Sequence, residues 1–255
     1  MGELEGRVAI VTGSSSGIGE AVARRLSELG CRVVVNSSSS EAAGAAVAES
    51  LPSEALYVRA DISDQAQGQG LIVRTIEEFG RLDVLVNNAG WTRIVPHSDL
   101  DALTDDILRK TFEVNVFGTW WLTKAAMPYL RRSPDPNIVM VTSVAGLRPV
   151  GSSIAYAMSK AALNHLTALL AKSCGPVRVN AVAPGLVETP LSANLHGPDA
   201  PEYLISLPSA SALSPSSALS TFMALSLLAI LRMFSLMPVP VGSLPFAIAR
   251  IARLA

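Results

Sequence analysis

From Arg7 onward the chain alternates short runs of β-branched and other apolar residues with longer Ala/Leu-rich stretches whose apolar positions recur at helical spacing. The short runs predict strands at residues 8–11, 32–35, 55–58, 84–86, 138–141 and 177–182. The longer stretches predict helices at 18–29, 41–50, 64–79, 104–130 and 152–173. Strict alternation of the two kinds of element is the mark of successive βα units, and near-continuous apolar strands are expected where helices cover both faces of a parallel sheet. The expected fold class is therefore α/β, a doubly wound, mostly parallel sheet, with ligands outside the carboxyl ends of its strands.

The pattern breaks near Leu195. From Pro201 onward the only charged side chains are Glu202, Arg232, Arg250 and Arg253, and Ser, Leu, Ala and Pro dominate. The chain divides on this basis into a domain at 1–195 and an atypical apolar tail at 196–255. The most apolar part of the tail, LSTFMALSLLAIL, is shorter than the roughly 20 residues a membrane helix needs, and extending it brings in Arg232. No membrane span is expected from it.

Bulk properties narrow the partners. A length of 255 residues suits one α/β domain. The net charge of -1 gives no electrostatic case for nucleic acid or an anionic membrane surface, so a small-molecule partner is expected. Cys31 and Cys174 have no ligand or redox spacing, and the start MGELEGRVAIVTG lacks the parts of a secretory signal. A reducing, cytoplasmic location is the expectation.

The first strand leads into Thr12-Gly13-Ser14-Ser15-Ser16-Gly17-Ile18-Gly19 and then a helix. Strand, glycine-rich turn and helix N-terminus, in that order, suit an anion: glycines admit a tight turn and close approach, and the first helical N–H groups point at the ligand. The spacing is GxxxGxG rather than GxGxxG. Taken alone the loop has a lesser alternative reading as a serine-rich strand-to-helix turn.

Asn87-Asn88-Ala89-Gly90 closes the fourth strand, and Tyr156 and Lys160 stand four apart on a later helix, which puts them on one face. Each motif has a bland reading by itself, an ordinary turn and a packed phenol beside a solvated lysine. Together with the glycine loop they resemble the short-chain dehydrogenase/reductase family, and in particular its bacterial 3-oxoacyl carrier-protein reductase-type members. The resemblance covers about residues 6–190 and extends to Asp61, Asn115, Ser143 and Pro184-Gly185. It implies a Rossmann-type core, a nicotinamide cofactor, and interconversion of a carbonyl and an alcohol by hydride transfer, with a homodimer or homotetramer packed through the helices bearing Asn115 and Tyr156.

On that resemblance the catalytic set is Asn115, Ser143, Tyr156 and Lys160. An ammonium beside a phenol favours phenolate, so Lys160 is expected to lower the Tyr156 pKa and let it act as acid or base. Ser143 is expected to hold the substrate oxygen, Lys160 also to reach the nicotinamide ribose, and Asn115 to hold a water linking Lys160 to solvent. The cofactor-binding set is Gly13, Ser15, Ser16, Gly17, Ile18, Gly19, Asn36, Ser37, Ser38, Asp61, Ile62, Asn88, Ala89, Gly90, Tyr156, Lys160, Pro184, Gly185 and Thr189. Trp91 is a candidate for the substrate pocket.

Cofactor choice turns on the residues just after the second strand, where an acidic side chain would bind the ribose 2′-hydroxyl. Here the run is Asn36-Ser37-Ser38-Ser39-Ser40 with no acid until Glu41, which favours NADP over NAD, although an arginine or lysine to bind the phosphate is missing from it. His97, His165 and His196 form no ligand spacing, and no metal is expected. Family members end in a helix and a strand bearing Thr-Gly and Asp-Gly-Gly. Neither segment is present in this chain, so the reading expects no ordinary seventh strand. The tail is expected to be a shifted frame or alternative end, and the alternative function is a catalytically silent or unstable derivative of the fold that associates with a membrane or binds a partner through the tail.

Overall fold

The computed structural model describes residues 3–187 and 189–192 and the backbone of Phe246–Ala247. The elements run β1 (Val8–Val11), α1 (Gly17–Glu28), β2 (Arg32–Ser37), α2 (Glu41–Glu49), β3 (Ala55–Arg59), α3 (Gln65–Phe79) and β4 (Val84–Asn87). After β4 come α4 (Asp105–Phe112), α5 (Thr119–Leu130), β5 (Asn137–Val141), α6 (Ile154–Ser173), β6 (Arg178–Val182) and β7 (Phe246–Ala247). All six predicted strands are present, each within two residues of the expected ends.

The sheet is parallel throughout, in the order β3-β2-β1-β4-β5-β6-β7. The order reverses between β1 and β4, so a crevice opens at the carboxyl ends of those two strands, where the connections leave in opposite directions. Successive side chains point to opposite faces, and each face is buried against helices. On one face Val8, Ile10, Leu85, Ile138 and Met140 pack with Leu71 and Ile72 of α3, Leu122 and Leu130 of α5, and Leu170 of α6. On the other, Ala9, Val11, Val33, Val35 and Val86 pack with Val22, Ala23 and Leu26 of α1 and Val47 of α2. Every residue of β1, β4 and β5 is buried.

The opposite end of the sheet, where the strands begin, is fastened by charge. Asp83 accepts hydrogen bonds from the Val8 N–H, the Ser133 hydroxyl and, through both oxygens, Arg81 at 2.7 and 2.8 Å. Burial opposes ionisation there, but these donors hold the carboxyl below its usual range. Asp135 ties Arg7 to Arg178 at 2.6 Å each, joining the segments that enter β1 and β6.

Two expectations need correction. The helix predicted over 104–130 is not one uniform α-helix: α4 and α5 are joined by a π-helical turn, Glu113–Gly118. Gly118 explains the close packing there, since a Cβ on it would stand 2.7 Å from the Ile62 carbonyl oxygen. A seventh strand also exists in short form, with Phe246–Ala247 running parallel to Ala181 and Val182. The rest of the tail, including His196 and the domain boundary at 195, lies outside the described residues. Among the described residues no helix is long and apolar enough to cross a membrane.

Candidate active site

The crevice between β1 and β4 is built by the two glycine-bearing loops locking onto each other. Thr12 receives hydrogen bonds at its hydroxyl from the Asn88 and Ala89 N–H groups, both at 3.0 Å, while the Asn88 amide donates to the Thr12 and Gly13 carbonyls at 2.8 and 3.1 Å. Gly13 turns the chain with φ 61°. Gly19 sits where a Cβ would lie 2.3 Å from the Gly13 carbonyl oxygen and 2.5 Å from Asn88 Nδ2, so only a glycine brings the first turn of α1 this close to the loop. Ser16, in extended conformation, ends the loop, and Gly17 and Ile18 open α1. A Cβ on Gly17 would meet the Thr189 side chain at 3.2 Å, which places Thr189 at the same helix N-terminus. The cradle has the shape, the free amides and the dipole end that a pyrophosphate requires.

At the end of β2 the expected residues part company. Asn36 is buried, its amide donates to the Val58 and Ala60 carbonyls, and its Oδ1 accepts from the Gly13 N–H at 3.4 Å. It is a strut that positions the glycine loop against β3 and has no side-chain donor left for a ligand, contrary to the expectation from sequence. Ser37 is buried too, with its hydroxyl 2.9 Å from that of Tyr57. Ser38 alone of the three is exposed. Asp61 follows β3 and accepts from the Ser63 N–H and hydroxyl at 2.9 and 2.6 Å, and Ile62 is buried beside Gly118.

The chemistry gathers at the carboxyl end of β5. Ser143 lies two residues beyond that strand, accepts from the Ala145 N–H at 3.1 Å and acts on the Tyr156 phenol, whose pKa it lowers. The Val144 N–H donates to the Pro184 carbonyl, which brings the Pro184-Gly185 segment after β6 against the same turn. Ser153 caps α6 by accepting the Tyr156 N–H at 3.1 Å, so the catalytic candidate occupies the first turn of its helix, held by a cap. One turn on, Lys160 is almost fully buried, its Nζ donates to the Val141 carbonyl at 2.8 Å, and it stands 5.6 Å from the centre of the Tyr156 ring.

The electrostatics differ from the expected phenolate. Burial pushes the Tyr156 phenol up from its ordinary value, and the Ser143 hydrogen bond only partly offsets this. The lysine yields instead: burial pulls Lys160 down to about 8. Burial costs the ammonium its solvation, but while Lys160 is charged the same low dielectric strengthens its attraction for any negative charge that develops on the neighbouring phenol.

Asn115, in the π-helical turn, is wholly buried and its amide is spent on protein: Oδ1 accepts from the Trp91 N–H at 2.7 Å, and Nδ2 donates to the Trp91 carbonyl and the Ser159 hydroxyl at 3.0 Å each. Its side chain therefore clamps the backbone after Gly90 to α6, a role not expected from the sequence. A Cβ on Gly90 would lie 3.5 Å from Asn115 Oδ1 and 3.7 Å from Lys160 Nζ, so the two loops and the two helices converge here. The Trp91 ring is half-buried with Lys110 Nζ 5.5 Å from its centre. Beyond it the 92–95 loop is hydrogen-bonded to Ser152, and a cavity of about 410 Å³ opens between Arg93, Ile94, Val95, Thr104 and Asp106. Thr12, Ser153 and Ser159 were missed from the sequence. Ser153 carried a readable signal, a serine directly before a helical run. His165 is exposed, and among the described residues no group of three His, Cys, Asp or Glu side chains gathers as a metal site.

The family model for short chain dehydrogenase matches residues 7–199. The chain belongs to the short-chain dehydrogenase/reductase family. It is 56% identical over 191 residues to the "Granaticin polyketide synthase putative ketoacyl reductase 2" of Streptomyces violaceoruber, covering 74% of this chain and 76% of that protein. Among solved structures, a short chain dehydrogenase from Burkholderia cenocepacia J2315 in complex with NADP is 37% identical with a TM-score of 0.69, covering 74% and 77% of the two chains. Levodione reductase is 33% identical with a TM-score of 0.70, covering 75% and 76%. The present chain is accordingly an oxidoreductase of this family, with its Rossmann-type fold and its use of nicotinamide cofactors on small-molecule substrates.

Proposed function

We propose that this short-chain dehydrogenase/reductase reduces a small ketone, of the 3-oxoacyl type that its ketoacyl reductase relative suggests, with NADPH as reductant and Tyr156 as proton donor. The observation that carries the reading is the convergence of Tyr156 and Lys160 at the crevice beside the two glycine-bearing loops: Lys160 Nζ stands 5.6 Å from the Tyr156 ring centre, a Cβ on Gly90 would lie 3.7 Å from that Nζ, and Ser143 follows β5 at the same end of the sheet. The cradle fits a dinucleotide: Gly13, Ser15, Ser16, Gly17, Ile18, Gly19 and Thr189 would hold the pyrophosphate, Asp61 and Ile62 would flank the adenine, and Asn88, Ala89, Gly90, Pro184 and Gly185 would border the nicotinamide half. When bound, the reduced nicotinamide supplies the hydride.

The protein's part is to fix the carbonyl and deliver a proton. A carbonyl oxygen seated between the two hydroxyls accepts from both, and these preorganised donors gain strength as negative charge builds on the oxygen. Tyr156 enters the reaction protonated, because burial raises its pKa, and is suited to act as an acid. Transfer leaves a phenolate in a dry site, and the Lys160 ammonium, 5.6 Å from the ring centre, is placed to compensate it. In the oxidative direction the same atoms run in reverse. Trp91 and the adjoining 92–95 loop are the side walls that meet the rest of the substrate.

The test is oxidation of NADPH and NADH by the purified full-length chain against small ketones, quinones and 3-oxoacyl thioesters. Turnover with the thioesters or ketones is expected. A folded protein that binds NADPH but reduces no carbonyl in the panel would overturn the proposal.

A further inference from the structure

The run after β2 lacks a basic residue, yet the fold supplies one from the neighbouring strand. In the β2–β3 register Arg59 is the Cα partner of Ser37, so the last residue of β3 stands beside the position from which this fold reads the adenosine ribose. Arg59 Nε donates to the Ser38 carbonyl at 3.3 Å, which draws its guanidinium across the exposed Ser38-Ser39-Ser40 segment. The other candidates at this place are committed elsewhere: Asn36 to the β3 carbonyls and Ser37 to the Tyr57 hydroxyl. Glu41 is the anion that faces the Arg59 guanidinium, at 3.5 Å, and both side chains are largely exposed, at 61% and 66%. An ion pair of that kind holds its arginine weakly. A phosphate offers two or more oxygens to the planar fork of the guanidinium and displaces a single distant carboxylate.

We infer that Arg59 is the specificity-determining residue for the cofactor: it binds the 2′-phosphate of NADP together with the Ser38 hydroxyl, with Glu41 as its competitor in the absence of phosphate. This assignment rests on the crevice being a dinucleotide site. It explains how a chain with neither an acid to hold a ribose diol nor an adjacent base to hold a phosphate still chooses between the two cofactors.

The experiment is calorimetric titration of the full chain with 2′,5′-ADP and with 5′-AMP, which report the phosphate subsite without any turnover. The wild type is expected to bind 2′,5′-ADP at least about tenfold more tightly, as a charge-assisted bidentate contact would give. Arg59→Gln should collapse the ratio towards one, and Glu41→Gln, which frees the arginine, should widen it. In parallel, Arg59→Gln should lower kcat/KM for NADPH relative to NADH by a similar factor through KM. Equal binding of the two nucleotides by the wild type, tighter binding of 5′-AMP, or a ratio unchanged in Arg59→Gln would overturn the inference and leave the oxidoreductase reading standing. Failure of both nucleotides to bind would overturn the dinucleotide reading and this inference with it.

Discussion

Lys160 is a cation buried against a backbone carbonyl and over an aromatic ring, and among the described residues no carboxylate forms an ion pair with its ammonium. Such a group costs stability while it stays charged, and active sites accept that cost for chemistry. The folded pKa of about 8 lies below the ordinary 10.5, so the unfolded chain holds this proton more firmly than the folded one. By linkage, the penalty is complete below pH 8 and is relieved as pH rises from about 8 towards 10.5. The wild type without cofactor should therefore gain stability relative to Lys160→Met across that window, in denaturant titrations at a series of pH values. A constant difference between the two proteins would mean that Lys160 is solvated when folded. Spacing alone suggested a lysine that acidifies the tyrosine. Burial, invisible in a YxxxK pattern, makes the lysine the group that moves and keeps Tyr156 protonated.

At the level of elements, the glycine loop was the most legible part of the site, because a strand, a GxxxGxG run and a helix start specify a turn whatever surrounds it. What the sequence could not show is which neighbour demands each glycine. Gly19 faces the Gly13 carbonyl and the Asn88 amide, both fixed by the hydrogen bonds that join the two loops. Gly19→Ala should push the α1 N-terminus off the loop and weaken NADPH binding by about tenfold or more, with unchanged far-UV circular dichroism, since a methyl 2.3 Å from a backbone oxygen cannot be accommodated by side-chain movement. Binding at the wild-type level would show that the loop relaxes freely. The π-helical turn was not legible: residues 104–130 keep helical periodicity throughout, and the wider turn at Asn115 answers to tertiary contacts with Trp91, Ser159 and Ile62. Asn36 was misread for a related reason, since an asparagine at a strand end reads the same whether its amide faces a ligand or two carbonyls of the next strand.

For the molecule as a whole, alternating βα units were enough to specify a parallel doubly wound sheet, since helices on both faces leave strands apolar on both sides. Partners across the sheet were not legible, and Arg59 beside Ser37 is the case that matters most for function. The assembly implied by family resemblance is supported by large apolar side chains left exposed on the helices concerned, Phe117 at 45%, Trp120 at 43% and Leu169 at 51%. We propose that this face joins two copies of the chain. Sedimentation velocity should show a dimer, and Trp120→Glu should shift it to monomer by burying a charge at the interface. A wild-type monomer at micromolar concentration would contradict this.

Whether Tyr156 supplies the proton at a carbonyl held by Ser143 is decided by comparing the wild type with Tyr156→Phe. NADPH affinity and turnover of a 3-oxoacyl thioester would be measured on the same preparations. Loss of the hydroxyl should cut kcat by about 10²–10⁴-fold while NADPH still binds and the protein melts as one folded species. A Tyr156→Phe protein that turns over at close to the wild-type rate would mean that the proton comes from another group.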